Sequence, residues 1–492
     1  MEMAAWWRRH ALSLGFLALA LTSGLAVGFG SALVSGLHAS ADSRPTFYIE
    51  LFFAAVGALV AIAFALARAD IALPSLVLLL AFLPSRTGMQ WRYVGHAIVS
   101  VTDLVILLGM AVLLVKTKVR ARTRLQPIVV RTPLWAWLAV GMLGLILALD
   151  HGAPWVNWAA SFKGFYYWIL IVVLCVNVVR TPRMLRLIMA VLVFSALPTV
   201  LSAIRDAVSG AANVRAILPD GTLIYRTTGG SGLVNQYAFY IMAVFFVALG
   251  LMLTARRWPE RILFVACTVG CLVAVYLTYT RGAWIATVIG LVVFALVSGR
   301  KTVASLIAVT IACAAFAPPA LWGRLSFGDS SVAERVNYAQ TAFAAIHAYP
   351  LTGYGWGSTF ETVGRIVVPI LKEADMPFWH DDYLIVATQV GLPGLAVFLW
   401  VWAALAWSTV KTARSTPPGF ARTTMAVLLG ATAAMFAQAF TDMFYWRNET
   451  GPIVWLIVGL LCTAINMARA RPAGQATAPL NEPAPVEAGA AA

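Results

Sequence analysis

The 492-residue chain is 61% hydrophobic and 11% charged, with a mean hydropathy of +0.84, whereas about a quarter of a soluble domain is charged. Such values exclude a soluble globular enzyme and describe a polytopic membrane protein. The formal net charge of +15 would suit a nucleic-acid partner, but its distribution along the chain makes it a topology signal.

Apolar runs of roughly 15 to 25 residues recur from Ala11 to Met467, each long enough to cross a hydrocarbon core as a helix. An all-α polytopic protein with about 14 transmembrane helices is expected, at 11–29, 48–67, 71–84, 95–115, 134–150, 165–179, 185–204, 233–253, 262–279, 284–298, 302–318, 383–407, 422–442 and 452–468. The first run follows Arg8 and Arg9 as a signal peptide's would, but it is one of many similar spans and reads as the first anchor. The five cysteines (Cys175, Cys267, Cys271, Cys313, Cys462) fall inside expected spans, where thiols behave as small apolar residues, so neither a disulfide framework nor a thiolate metal site is inferred.

With the N-terminus placed in the cytoplasm, connectors alternate between the two sides, and 22 of the 35 Lys and Arg residues fall on the cytoplasmic side. The other side carries most of the acids and has a net charge near zero. Positive connectors inside and neutral ones outside support both the span count and the orientation, with both termini cytoplasmic. The basic stretch Lys116 to Arg131 reads as a contact with anionic inner-leaflet lipid.

Asp103 lies about two turns inside the fourth expected span. An ionisable group there is a functional candidate, and pairing to an Arg of a neighbouring helix is the equal alternative. The outer connector after Arg205 ends Tyr225-Arg-Thr-Thr-Gly-Gly-Ser-Gly-Leu-Val-Asn-Gln-Tyr237 and opens a span. Its glycines and Arg226 could hold an anion on free backbone N–H groups, or form only a flexible turn. A tight turn, Thr278-Tyr-Thr-Arg-Gly-Ala-Trp284, leaves Arg281 at the outer boundary, where a snorkelling anchor is the plainer reading.

The long polar excursion is 319–382, expected to be a periplasmic loop domain. It contains Pro350-Leu-Thr-Gly-Tyr-Gly-Trp-Gly-Ser358 and ends Phe378-Trp-His-Asp-Asp-Tyr-Leu384. His380 is the candidate base there, because imidazole titrates near working pH. Asp381 and Asp382 are candidates to orient that ring or to cap the next helix. Tyr354 and Trp356 are candidates to stack on sugars, or are interfacial aromatics. Glu373 and Asp375 read as a solvated face, with a divalent-cation site as the counter-reading. The Ala/Pro-rich tail, 469–492, is expected to be disordered and cytoplasmic.

Arg226 with the Gly-rich turn and Asn235, the Thr-Arg-Gly-Ala-Trp turn, and Pro350-Leu-Thr-Gly-Tyr-Gly-Trp-Gly followed by His380-Asp-Asp-Tyr-Leu and Gly391-Leu-Pro-Gly-Leu395 together resemble the O-antigen ligase and O-antigen polymerase superfamily. The resemblance is best from about Arg226 to Leu395. It implies a GT-C-like membrane glycosyltransferase in the bacterial inner membrane that uses an undecaprenyl-diphosphate-linked glycan, with no metal or other cofactor. The acceptor would be lipid A core for a ligase or a growing polysaccharide for a polymerase, and a transporter or flippase of the same glycan is a third reading. The resemblance makes His380 catalytic and Arg226, Arg281 and Arg335 diphosphate-binding. The common family pattern has Asn after the His, where this chain has Asp381. The expected organisation is N-terminal spans at 1–225, a ligase-like core at 226–408 and C-terminal spans at 409–468.

Overall fold

The computed structural model describes residues 90–92, 98–100, 106, 109–110, 113, 125–150, 163–210, 214–217, 223–230, 233–299, 330–356, 380–447 and 450–470. The described part is mostly helical. In chain order it contains strands β1 (Gln90–Arg92) and β2 (Ile98–Ser100), helix α1 (Arg131–Asp150), a π-helical turn (Lys163–Tyr167), α2 (Ile169–Val178) and α3 (Pro182–Ser209). A second hairpin, β3 (Val214–Ile217) and β4 (Leu223–Arg226), precedes α4 (Val234–Thr254), α5 (Trp258–Leu277) and α6 (Arg281–Ser298). Then come α7 (Ser330–Ala348), α8 (Asp382–Ser415), α9 (Phe420–Gln438) and α10 (Gly451–Arg469).

Eight of these helices, α1, α3, α4, α5, α6, α8, α9 and α10, are long and apolar enough to cross a membrane. They coincide with expected spans. The expected 165–179 span is instead a π-helical turn followed by a 10-residue helix. The expected 95–115 span needs correction at its start, because Ile98–Ser100 pairs antiparallel with Gln90–Arg92; β-branched Ile98 and Val99 suit that extended backbone. The expected spans 11–29, 48–67, 71–84 and 302–318, and most of 95–115, lie outside the described residues. So does the tail after 470.

Helix α4 forms the centre, packed chiefly against α5, α9 and α3, and most of its own residues are buried. At the rim, α5 exposes Trp258, Ile262, Val265, Val269 and Leu272, and α6 exposes Ile285, Val288, Ile289, Val292 and Leu296. That helical spacing makes each set one apolar stripe, as expected of a helix facing lipid. Where α6 crosses α9, a Cβ on Gly290 would lie 2.5 Å from the carbonyl oxygen of Gly430. Small residues at such a crossing let two membrane helices touch along their backbones, which supplies the packing that water exclusion cannot supply in lipid.

The helix ends sort into two groups. At one end Arg186 bridges to Glu260 at 2.6 Å, Arg422 reaches Val297 O and Arg469 reaches Thr412. These are the connectors rich in basic residues. The other end gathers the starts of α4, α6, α8 and α10 and the ends of α5 and α9.

The long helix α8 is broken at Gly391, whose backbone (φ 72°, ψ 179°) is not helical. Pro393 two residues later has no N–H for the carbonyl of Gln389. The segment Pro350–Trp356 fills that break: Tyr354 N donates to Thr388 O and Gly355 N to Gln389 O, both at 2.9 Å, while Leu392 N donates to Pro350 O at 2.8 Å. Trp356 N adds a bond to Gly144 O of α1 at 2.7 Å. Each such group left unpaired in the interior would cost about 1–3 kcal/mol. The glycines make the approach possible, because a Cβ on Gly353 (φ +63°) would sit 2.5 Å from the carbonyl carbon of Gln389.

Candidate active site

Arg226 ends β4, and the turn after it must bring the chain back into α4 within a few residues. Gly229 and Gly230 take left-handed backbone (φ 55° and 83°), and the Tyr237 ring occupies the space where a Cβ on Gly229 would stand. This turn therefore works as a close-packed reversal that sets Asn235 beside Arg226. Arg226 Nη2 donates to Asn235 Oδ1 at 3.0 Å and to Thr280 Oγ1 at 3.0 Å, and its Nε donates to Thr278 O at 2.9 Å.

Thr278 and Thr280 meet one guanidinium because Tyr279 between them adopts φ 49°. Among the described residues only Tyr279 and His380 (φ 48°) have positive φ without being glycine. Such backbone costs about 1–3 kcal/mol and persists where surrounding structure enforces it, commonly at functional sites. Both residues flank the same network.

Asn235 carries the network onward. Its Nδ2 donates to Asp442 Oδ2 at 2.9 Å, and the other carboxylate oxygen, Oδ1, lies 3.0 Å from His380 Nδ1. Asp442 sits in the turn after α9 and is 3% exposed. Burial alone would raise its pKa, but the hydrogen bonds from His380 and Asn235, the imidazole charge and the Met443 N–H outweigh it. They hold the carboxyl below the usual range. When the ring is neutral, an ionised Asp442 facing Nδ1 favours the tautomer with its proton there and leaves Nε2 as the nitrogen with the lone pair.

Arg281, the first residue of α6, is 8% exposed. Its neighbour Gly282 packs directly on the Thr441 side chain, next to Asp442, so the Thr278–Gly282 turn and the Asp442 turn are in contact. Arg335 lies on α7, one helical turn before Tyr338, whose ring is 5.6 Å from that of His380. Asp381 is the N-cap of α8: its Oδ1 accepts from Tyr383 N at 2.8 Å and Leu384 N at 3.0 Å. Burial pushes its carboxyl up to about 6 against the lowering effect of those two bonds. Asp382 turns the other way and accepts from Phe444 N at 2.8 Å and Tyr445 N at 3.3 Å, fastening the start of α8 to the Asp442 turn.

Two candidates are placed elsewhere. Tyr354 and Trp356 are 1% and 2% exposed, and Trp356 packs edge-on against Trp446 at 4.9 Å and against Trp137 at 6.2 Å. They are interior packing residues of the strap, because its hydrogen bonds draw the backbone between α1 and α8. Asp103, Glu373 and Asp375 lie outside the described residues. Two residues were missed: Asp442, which read as the terminus of an apolar span, and Tyr338, inside a helix of the polar loop. The signal for Asp442 was a lone acid between an apolar run and Met443-Phe-Tyr-Trp446 on the side already assigned to His380.

Residues 266–399 match the model of the family described as O-antigen ligase. The chain carries an O-antigen ligase-related domain. The ligase-related stretch, just over a quarter of the chain, contains the Thr278–Gly282 turn, α7, the strap and His380. Arg226, Asn235 and Asp442 lie outside it and complete the network from either side. The family supports a ligase-like or related polymerase role in general terms. No curated protein matches the chain.

Proposed function

We infer that the protein transfers a glycan from an undecaprenyl-diphosphate-linked donor to an acceptor hydroxyl at the periplasmic face of the bacterial inner membrane, as an O-antigen ligase. The observation that carries this reading is the His380–Asp442–Asn235–Arg226 network, which joins a base to a cation at one end of the helices. Transfer requires an acceptor hydroxyl to lose a proton while a diphosphate departs with growing negative charge. His380 takes the proton at Nε2, and Asp442 stabilises the imidazolium that results. The Arg226 and Arg281 charges favour the departing diphosphate; hydrogen bonds from Arg226 to the protein fix its position and leave its charge intact. Arg335 on α7 adds a third cation from the loop side. The working end is opposite the one holding the basic connectors, in keeping with an outward-facing site and a cytoplasmic N-terminus.

The test uses purified protein in lipid with an undecaprenyl-diphosphate-linked glycan and a lipid A core acceptor. His380→Ala should still bind donor, while transfer falls by about 10² or more. Near-normal transfer by this variant, or loss of donor binding instead, would remove the base. Surface glycans of a deletion strain separate the alternatives: unattached long chains mark a ligase, single repeat units a polymerase, and loss of outward-facing donor a flippase. A periplasm-dependent reporter should be active when fused near Asp329 and silent near Arg122 or Arg414; the reverse would put His380 on the wrong face.

A further inference from the structure

The mechanism above does not use Tyr338, yet its ring lies 5.6 Å from the His380 ring with an interplanar angle of 34°, within the range of offset aromatic contact. Tyr338 is on α7 and His380 stands just before the N-cap of α8, so something must hold α7 beside the start of α8. Tyr338, Ala342 and Ala345 share a helical face. Ala342 and Ala345, both 0% exposed, form a small core with Ile385, Met443 and Tyr354. Their small size lets the α7 backbone come close to the first part of α8.

The far end of α7 is held by the strap in the Gly391 break. Tyr349 follows α7 immediately, and its carbonyl accepts from Gly353 N at 3.0 Å. The strap then bonds the carbonyls of Thr388 and Gln389, within the last turn before the break. The first part of α8 is thus held at both ends, by Asp382 on the Asp442 turn and by the strap at Thr388 and Gln389. Helix α7 lies along it with Tyr338 at the His380 end.

We propose that Tyr338 is a positioning residue for His380, and that docking of Pro350–Trp356 into the Gly391 break holds Tyr338 against the imidazole. Asp442 fixes the ring through Nδ1, and Tyr338 packs on the ring itself, so the remaining nitrogen keeps one direction from turnover to turnover. This rests on the reading of His380 as the base.

The test compares Tyr338→Phe, Tyr338→Leu and Gly353→Ala in the purified full chain. Two readouts are used: transfer kinetics, and the rate at which diethyl pyrocarbonate modifies His380, followed by mass spectrometry of its peptide. Tyr338→Phe should match wild type in both. Tyr338→Leu should lower kcat about three- to tenfold, the scale of an aromatic pair, with donor KM unchanged and faster modification of His380. Gly353→Ala should reproduce both changes and add nothing further in the Tyr338→Leu background. If Gly353→Ala does not insert, Leu392→Pro removes the N–H donated to Pro350 at a helix start that tolerates proline, and the same result is expected.

Wild-type kcat and modification rate in Tyr338→Leu, or fully additive effects in the double variant, would overturn the proposal. The modification readout needs no catalysis. An active His380→Ala would therefore remove the base assignment while leaving the Tyr338 contact measurable. A dead His380→Ala beside an unaltered Tyr338→Leu would remove this inference alone.

Discussion

His380 and Asp442 are 62 positions apart in the chain, yet His380 Nδ1 lies 3.0 Å from Asp442 Oδ1. The contact exists because Asp382, two residues after His380, accepts the backbone N–H groups of Phe444 and Tyr445, two and three residues after Asp442. Asp382 N also donates to Ala439 O at 3.0 Å. One buried acidic side chain thereby sets the start of α8 against the turn that presents Asp442, and the two side chains of the dyad are aligned by backbone contacts on both sides.

Asp442→Asn keeps the shape of the side chain but offers an amide where the carboxylate was. The imidazole can then hold the wrong tautomer, with its proton at the reacting nitrogen. Transfer should fall by about 10²- to 10⁴-fold with donor affinity retained. Steady-state kinetics with donor titration checks this, and an Asp442→Asn enzyme at wild-type kcat would dissolve the dyad.

Asn235→Ala disconnects Arg226 from Asp442 and leaves Asp442 Oδ2 without its amide. A stability loss of about 1–3 kcal/mol is expected, read from unfolding of the purified protein in detergent. Asn235→Asp should be worse than Ala, because it sets a second carboxylate against the first. A neutral Asn235→Ala would mean that the bridge transmits nothing.

Arg226→Lys preserves charge but not the fork that reaches Thr278, Thr280 and Asn235 together. Activity should fall nearly as far as in Arg226→Ala. Full activity in the Lys variant would reduce Arg226 to a membrane-boundary anchor.

Gly282→Ala forces a Cβ onto Thr441, and the contact includes the Thr441 Cβ at 3.1 Å. The two turns should be pushed apart at a cost of about 1–3 kcal/mol, the usual scale of overpacking. Thr441→Ala in the same chain should recover part of the loss, since it removes the hydroxyl and methyl that collide. Absence of any recovery in thermal unfolding would place the strain elsewhere.

Asp381 carries the pH prediction. Its carboxyl is pushed up to about 6 in the folded protein from an ordinary 3.8, so the native state holds the proton more tightly than the unfolded chain does. The corresponding stability is complete below the ordinary value and is lost as pH rises through about 6. Asp442 has the opposite sign: its carboxyl is held low, so its contribution persists above the ordinary carboxylate range and fails only under stronger acid. Unfolding midpoints of wild type should therefore decline more steeply from pH 4 to 6.5 than those of Asp381→Asn. Parallel curves would show that Asp381 does not titrate in this window.

Much was legible in the sequence because the relevant physics is local. Length and apolarity mark a spanning helix, and the eight long apolar helices among the described residues fall on expected spans. The turns at Thr278 and at the Gly-rich stretch stood out as polar breaks between such helices, and His380 stood out at the exit of a long polar excursion. Composition alone also separated the basic connectors from the others, and the structure gathers several of them at one end.

Only tertiary structure could decide the rest. No periodicity links Asp442 to His380 or Asn235 to Asp442, because those partners meet through the packing of α4, α8 and α9. The strap shows the same limit in reverse. Tyr354 and Trp356 read as surface aromatics in a glycine-rich loop, but Gly391 and Pro393 leave carbonyls unpaired in a neighbouring helix, and satisfying them draws that loop into the interior. A chain determines which of its segments are helical and apolar through its own residues; which polar atoms are left unpaired, and which distant segment must answer them, is settled only when the helices pack.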